Sequence, residues 1–201
     1  MTRPGTFERV YAAIKDRLRQ GLSRPGDRLE PAVLSDELNS SVTPVRDALH
    51  RLTGERLVEA PRHDGFRVPL VTESMLRHMY AWHLDLLLLA LARRPRTPAT
   101  SADFEPPAAE GPPYRAMNAL FLRLAGQTGN PEHSVAMATL TDRLESVQRL
   151  EEVLLDAAES ETGAILGAIR SGDRAELRRS LTRYHRRRQR IVPDLLEMLR
   201  G

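Results

Sequence analysis

Ser41-Val42-Thr43-Pro44-Val45-Arg46-Asp47-Ala48-Leu49-His50-Arg51-Leu52 carries the clearest helical pattern of the N-terminal part. Val45, Leu49 and Leu52 recur at spacings of four and three, the period of one helix face turned toward a core. Pro44 suits the first helical position, where a missing N–H has no intrahelical partner to lose. The spacing therefore predicts a helix from Thr43 to between Gly54 and Arg56.

Upstream, Phe7, Val10, Tyr11, Ile14, Leu18 and Leu22 form one apolar stripe of a first helix, which stops at Gly21 and the Pro25–Gly26 turn. A short helix is expected near Ala32 to Leu38, with Val33, Leu34 and Leu38 inward and Asn39 and the Ser40–Ser41 pair breaking it. Downstream the period changes. Leu57–Ala60 and Phe66–Pro69 read as two short strands, and Pro61-Arg62-His63-Asp64-Gly65 forms the tip between them. Three helices followed by a hairpin form the winged helix-turn-helix pattern.

The remainder reads as helix. Met75, Leu76, Met79, Tyr80, Trp82, His83, Leu86, Leu87 and Ala90 leave little polar surface on one segment, which is expected to be central. Further helices are expected over Tyr114–Thr128, Glu132 to about Ala157, Glu159–Arg170, and from Asp173 toward Leu199 with a kink at Pro193. Residues 93–113 hold six of the fourteen prolines and read as a loop. The expected fold is mostly α: a winged helix-turn-helix over residues 1–70, then an antiparallel α-helical bundle over 71–201.

A chain of 201 residues makes one large domain or two small ones. Hydrophobic residues at 41% and charged residues at 28% are ordinary for a soluble globular chain. The absence of cysteine excludes disulfides, thiol catalysis and Cys-ligated metals. The longest apolar run, Leu86–Ala92, is far too short to span a bilayer. Nothing in Met1–Phe7 resembles a signal segment, so a cytoplasmic location and no membrane partner are expected. Twenty-nine of the thirty basic residues are arginine, and the isoelectric point is near 9.8. There is no phosphate-cradling glycine motif, no His-Glu-x-x-His pair and no nucleophile elbow, so an enzyme is not expected.

Phe7 to Val68 resembles the DNA-binding domain of the GntR family. The resemblance rests on Pro25-Gly26-Asp27-Arg28-Leu29, Thr43-Pro44-Val45-Arg46-Asp47-Ala48-Leu49, Leu52, Leu57-Val58-Glu59 and Gly65-Phe66-Arg67-Val68. More weakly, Met79-Tyr80, Thr128-Gly129-Asn130-Pro131, and Ala164-Ile165-Leu166 through Gly172-Asp173 resemble the effector domain of the FadR-type (FCD) branch. The resemblance implies a dimeric, ligand-responsive bacterial transcription regulator, most simply a repressor on a palindromic double-stranded DNA operator. It places DNA contacts at Ser41, Thr43, Pro44, Arg46, Arg62, His63 and Gly65. Short hydroxyls and a cation at a helix start suit phosphates and base edges in a major groove about 12 Å wide. Two departures remove expected arginines: Val42 stands before the Thr-Pro pair, and Ala32 on the second helix.

In the FCD branch one aspartate and three histidines hold a divalent metal. Those columns fall here on Met117, Phe121, Thr162 and Tyr184, with His185 adjacent. That set lacks the ligands a transition metal needs, so no metal and no cofactor is expected. The arginine that meets ligand carboxylates appears as His83, and an acidic residue as Leu87. The effector is accordingly expected to be more apolar than the family's usual carboxylates, with Trp82, His83, Asn118, Tyr184 and His185 as anchors. The arginine run from Arg174 to Arg190 could add DNA contacts, but the plainer expectation is a solvated face pairing with acidic residues of the preceding helices such as Glu151, Glu152 and Asp156. Two other readings stay open: a ligand-independent DNA-binding regulator with a vestigial effector domain, and a ligand- or protein-interaction module that has lost DNA binding.

Overall fold

A computed structural model of the chain describes residues 5–62, 64–93, 112–155 and 158–200. His63, Asp156 and most of the loop expected over 93–113 lie outside the described residues. The chain divides after Val71 into two compact units.

The first unit contains α1 (Thr6–Arg19), α2 (Pro31–Glu37) and α3 (Val42–Gly54), with α1 and α2 both packed on α3. The stripes read from the sequence meet in one core. Val10, Ile14 and Leu18 come from α1, Leu34 from α2, and Val45, Ala48, Leu49 and Leu52 from α3; Leu29, Leu57 and Val58 close it. Each fully buried aliphatic side chain contributes about 1.5–3 kcal/mol. The guanidinium of Arg9 donates to the carbonyls of Leu38 and Asn39, closing the end of α2.

Three expectations need correction here. The helix predicted from Thr43 starts one residue earlier, with Ser41 as N-cap and Pro44 third in the helix. That position is still tolerated, because the first four helical N–H groups lack intrahelical acceptors. Leu22 and Val33 are 65% and 50% exposed. Leu22 falls past the end of α1, after Gly21 turns the chain at φ 64, and on the short α2 Leu34 takes the core position.

No strand forms among the described residues where the hairpin was expected; there are two isolated antiparallel bridges, Glu59–Arg67 and Arg28–Arg67. Glu59 and Arg67 exchange backbone hydrogen bonds of 2.8 and 2.9 Å. Pro61 and Pro69 supply no donors to extend that pairing. Leu29 N–H donates to Phe66 O and Val68 N–H to Asp27 O, so the wing's second arm is shared with the segment before α2.

The second unit contains α4 (Glu73–Arg93), α5 (Pro113–Gly126), α6 (Pro131–Leu154), α7 (Ala158–Arg170), α8 (Arg174–Arg190) and α9 (Val192–Arg200). α4 touches α5, α6, α8 and α9, which makes it the centre its composition predicts. Asn130 and Asp173 cap α6 and α8 by accepting from the N–H groups of Glu132 and Glu176. The kink expected at Pro193 is instead a break at Ile191, with Pro193 second in α9, where its lack of an N–H costs nothing. No helix among the described residues is long and apolar enough to cross a membrane.

Candidate functional site

The start of α3 is an open polar surface of the first unit. Burying Val45, Leu49 and Leu52 turns the opposite face outward, and Ser41, Thr43 and Arg46 are exposed on it. Ser41 occupies the N-cap position, yet its side chain makes no capping hydrogen bond. Arg46, one turn in, forms no ion pair among the described residues. Pro44 is half-buried beside them. This turn therefore presents two hydroxyls, a guanidinium and unengaged helix N–H groups, the donor set that suits a phosphate or a base edge.

The wing is held by paired charges, one along its arms and one at its tip. Arg67 Nε lies 3.0 Å from Glu59 Oε2, and Arg28 pairs with Asp64 at 2.5 Å. Phe66 meets the ring of His50 edge-on at 4.9 Å, tying the wing to α3. Gly65, at φ 69, turns the tip in a region side chains disfavour. Arg62 is exposed there and forms no ion pair among the described residues.

In the second unit the expected effector anchors separate. Trp82 is 51% exposed, on the outer face of α4, so it is no part of the interior that holds the others. Asn118 is buried and exchanges two hydrogen bonds with Gln148, at 2.7 and 3.1 Å, which engages both amides. His83, Tyr184 and His185 do come together, around Phe121, whose ring lies 5.3 Å from those of both His83 and Tyr184. Phe121 fills the place where the resemblance puts a histidine ligand. No group of three or more His, Asp or Glu that could hold a metal occurs among the described residues.

The two histidines form an ordered pair. His185 Nδ1 sits 2.7 Å from Leu181 O, which only accepts, so Nδ1 carries the proton and Nε2 accepts. His83 Nδ1, 2.8 Å from that Nε2, is then the donor. His83 Nε2 is left as a buried lone pair without a partner. Burial pushes the pKa of His83 well down, aided by His185, and burial pushes that of His185 down to about 4. Both rings are therefore neutral near pH 7.

Beside them lies a buried charge cluster. Arg188 Nε is 2.8 Å from Glu151 Oε2, although its N–H does not aim along that line, and Nη1 donates to Glu161 Oε2 at 2.9 Å. Its guanidinium lies 3.2 Å from the Tyr184 ring centroid, and the Tyr80 hydroxyl donates to Glu151 Oε1. Burial raises the pKa of Glu151, with Arg188 opposing. A cleft of about 20 Å³ opens here, lined by Pro113, Tyr114, Met117 and Leu155 and by Gln148, Glu151 and Arg188. It has room for roughly one water.

The sequence reading took Arg188 for part of a solvated face. It follows Leu177, Leu181 and Tyr184 on the buried stripe of α8, and that i, i+4, i+7, i+11 spacing was the signal available to find it. The pairing with Glu151 was expected; Glu161 is the partner that was not.

Residues 6–68 match the model for bacterial regulatory proteins of the gntR family. The HTH-type transcriptional regulator McbR of Escherichia coli K12 is 33% identical over 94 residues, 46% of this chain and 42% of McbR. The HTH-type transcriptional repressor GlaR of the same organism is 29% identical over 84 residues, 41% of this chain and 38% of GlaR. The matched stretch thus spans about two fifths of each relative's own length. The solved structure of E. coli McbR/YncC aligns with a TM-score of 0.70 and 21% identity, covering 95% of this chain and 98% of that one. A GntR-type protein from Rhodococcus sp. RHA1 aligns with a TM-score of 0.74 and 17% identity, covering 95% and 99%. At those identities the likeness is one of fold, and it extends through both units. The family match covers α1 to α3 and the wing: the N-terminal unit of this chain is a helix-turn-helix domain of the gntR family of bacterial regulatory proteins.

Proposed function

We propose that the protein is a transcription regulator that reads a palindromic DNA operator as a homodimer, through α3 and the wing. The observation that carries this is the start of α3. In a domain matching the gntR family, Ser41, Thr43 and Arg46 stand exposed with no side-chain partner among the described residues. Side chains so placed enter a major groove, and a two-fold pair of such helices suits a palindrome. Arg62 and His63 at the wing tip take the flanking phosphates or minor groove, and Gly65 gives the tip its turn. Val42, exposed where the family has arginine, offers apolar contact to a thymine methyl instead.

The second unit serves dimerisation and ligand response, and occupancy of the operator blocks transcription until a ligand is bound. The Tyr184–Arg188 cleft supports this part of the reading. It joins an apolar wall to a buried cation, and its small volume obliges any ligand larger than water to move α5, α7 or α8 on entry. A ligand that prefers one helix arrangement can then shift the regulator between states.

The test is binding to the DNA upstream of the protein's own gene, against a scrambled duplex, at several salt concentrations. Preference for the native duplex at ~150 mM salt is expected. Arg46→Ala is expected to weaken operator binding by about 1–3 kcal/mol, roughly 5- to 150-fold, with the thermal midpoint unchanged. Equal binding to both duplexes by the wild type would sink the reading. Raised thermal stability with a matching metabolite supports the ligand response, and its absence across an apolar and acidic library would favour a ligand-independent regulator.

A further inference from the structure

α8 carries eight arginines and one glutamate, and the structure separates those that serve the fold from those that do not. Arg188 is in the core. Arg179 and Arg183 pair with Glu176, and Arg187 with Glu161. The side chains of Arg178, Arg186 and Arg190 are exposed and form no ion pair or hydrogen bond among the described residues. The three lie at spacings of eight and four, on one ridge of the helix. Thr182 occupies the remaining place on that ridge, and the paired Arg179, Arg183 and Arg187 form the ridge beside it. At 1.5 Å per residue the strip is about 18 Å long.

Helix-dipole compensation accounts for a cation in the last turn, at Arg190, and less for Arg186 just before it. It does not account for Arg178, near the start, where a cation is disfavoured. The three guanidiniums make a positive strip with no carboxylate paired to them among the described residues, complementary to an extended polyanion. Arginine's planar fork fits phosphate oxygens in pairs.

We propose that the outer ridge of α8, Arg178, Arg186 and Arg190, binds the phosphate backbone of double-stranded DNA, adding a sequence-independent grip to the sequence-reading α3. This rests on the DNA-binding reading above. The occupant is DNA because the first unit of the same chain is a gntR-family DNA-binding domain, and a duplex held there is the polyanion at highest local concentration. Phosphate contacts made this way strengthen operator and non-operator binding alike.

The test measures equilibrium binding of the full chain to operator and scrambled duplexes across salt concentration. Wild type is compared with the triple variant Arg178→Gln, Arg186→Gln, Arg190→Gln. A control triple variant, Arg149→Gln, Arg170→Gln, Arg200→Gln, removes the same charge from exposed positions on α6, α7 and α9. Each lost phosphate contact lowers the slope of log K against log salt by about 0.9. The α8 variant is expected to lose about 2–3 from that slope on both duplexes, keeping the ratio between them, while the control keeps the wild-type slope. An unchanged slope in the α8 variant, or equal losses in both variants, overturns the proposal. A changed oligomeric state with unchanged DNA binding also overturns it and assigns the ridge to a protein contact. If instead the wild type fails to prefer the operator, the function reading falls, while the scrambled duplex still decides the α8 ridge.

Discussion

The start of α3 and the inner face of α8 carry similar chemistry in opposite circumstances. Each presents hydroxyls and an arginine on a helix. In α3 the arginine and both hydroxyls point away from the core and their side chains have no partner among the described residues. In α8, Tyr184 and Arg188 lie on the buried stripe, and Arg188 meets Glu151, Glu161 and the Tyr184 ring. A buried cation without partners costs several kcal/mol, so the interior surrounds it with acceptors. An exposed one costs almost nothing unpaired, and it stays available. The face a helix buries therefore decides whether an arginine holds the protein together or waits for something else.

The strongest way to break that contrast is Arg188→Met. It leaves Glu151 without its cation in the interior and Glu161 with Arg187 alone, and the expected loss of stability is about 3–5 kcal/mol, read by urea unfolding. A loss under ~1 kcal/mol would show that the cluster is solvated and interchangeable with the surface. Asn118→Leu comes next. It strands the Gln148 amide and should cost about 1–3 kcal/mol, while Asn118→Leu with Gln148→Leu should recover most of that. Failure of the double variant to recover would mean that packing volume, and not the amide pair, sets the cost.

The buried histidines extend the same logic to pH. His185 has a folded pKa of about 4, against 6.5 as its ordinary value. The unfolded chain then binds the proton more readily, so the contribution is complete above pH 6.5 and is lost as the pH falls toward 4. From His185 alone, going from pH 7 to 5 should lower stability by about 2 kcal/mol. Glu151, raised by burial, acts in the opposite sense as pH rises, because its folded form holds the proton longer. Glu151 stays in both proteins when His185→Leu is compared with wild type. The loss between pH 7 and 5 should shrink in the variant; an equal loss would place the acid sensitivity elsewhere.

Much of the first unit was legible because its signals are local. The apolar periods of α1 and α3, and the Gly and Pro punctuation between them, act within a few residues and predict the core at Val10, Ile14, Val45 and Leu49. The strands were overread, since alternating residues at Leu57–Ala60 and Phe66–Pro69 show β character but not whether a ladder can be extended past Pro61 and Pro69. The second unit was less legible because its polar interior depends on pairings far apart in sequence. Nothing near Asn118 announces Gln148, and nothing near Tyr80 announces Glu151. Trp82 was misplaced for the same reason: α4 is apolar nearly all round, so periodicity alone does not say which side faces out. Arg188 was the exception, legible from its place on the Leu177–Leu181–Tyr184 stripe.

Ser41 gives the smallest effect and the sharpest test of the contrast. A serine at an N-cap ordinarily stabilises its helix, and replacing it by alanine costs about 1 kcal/mol. Here the hydroxyl makes no capping bond, so Ser41→Ala should leave stability within about 0.5 kcal/mol of wild type. If the hydroxyl is free for DNA, the same substitution should weaken operator binding by about 1 kcal/mol, roughly fivefold. Thermal unfolding and operator titration on one preparation read both quantities. A loss of stability without a loss of affinity would mean that Ser41 caps α3 in solution. The α3 start would then be engaged internally, as Tyr184 and Arg188 are, and the reading of DNA would have to rest on Thr43 and Arg46.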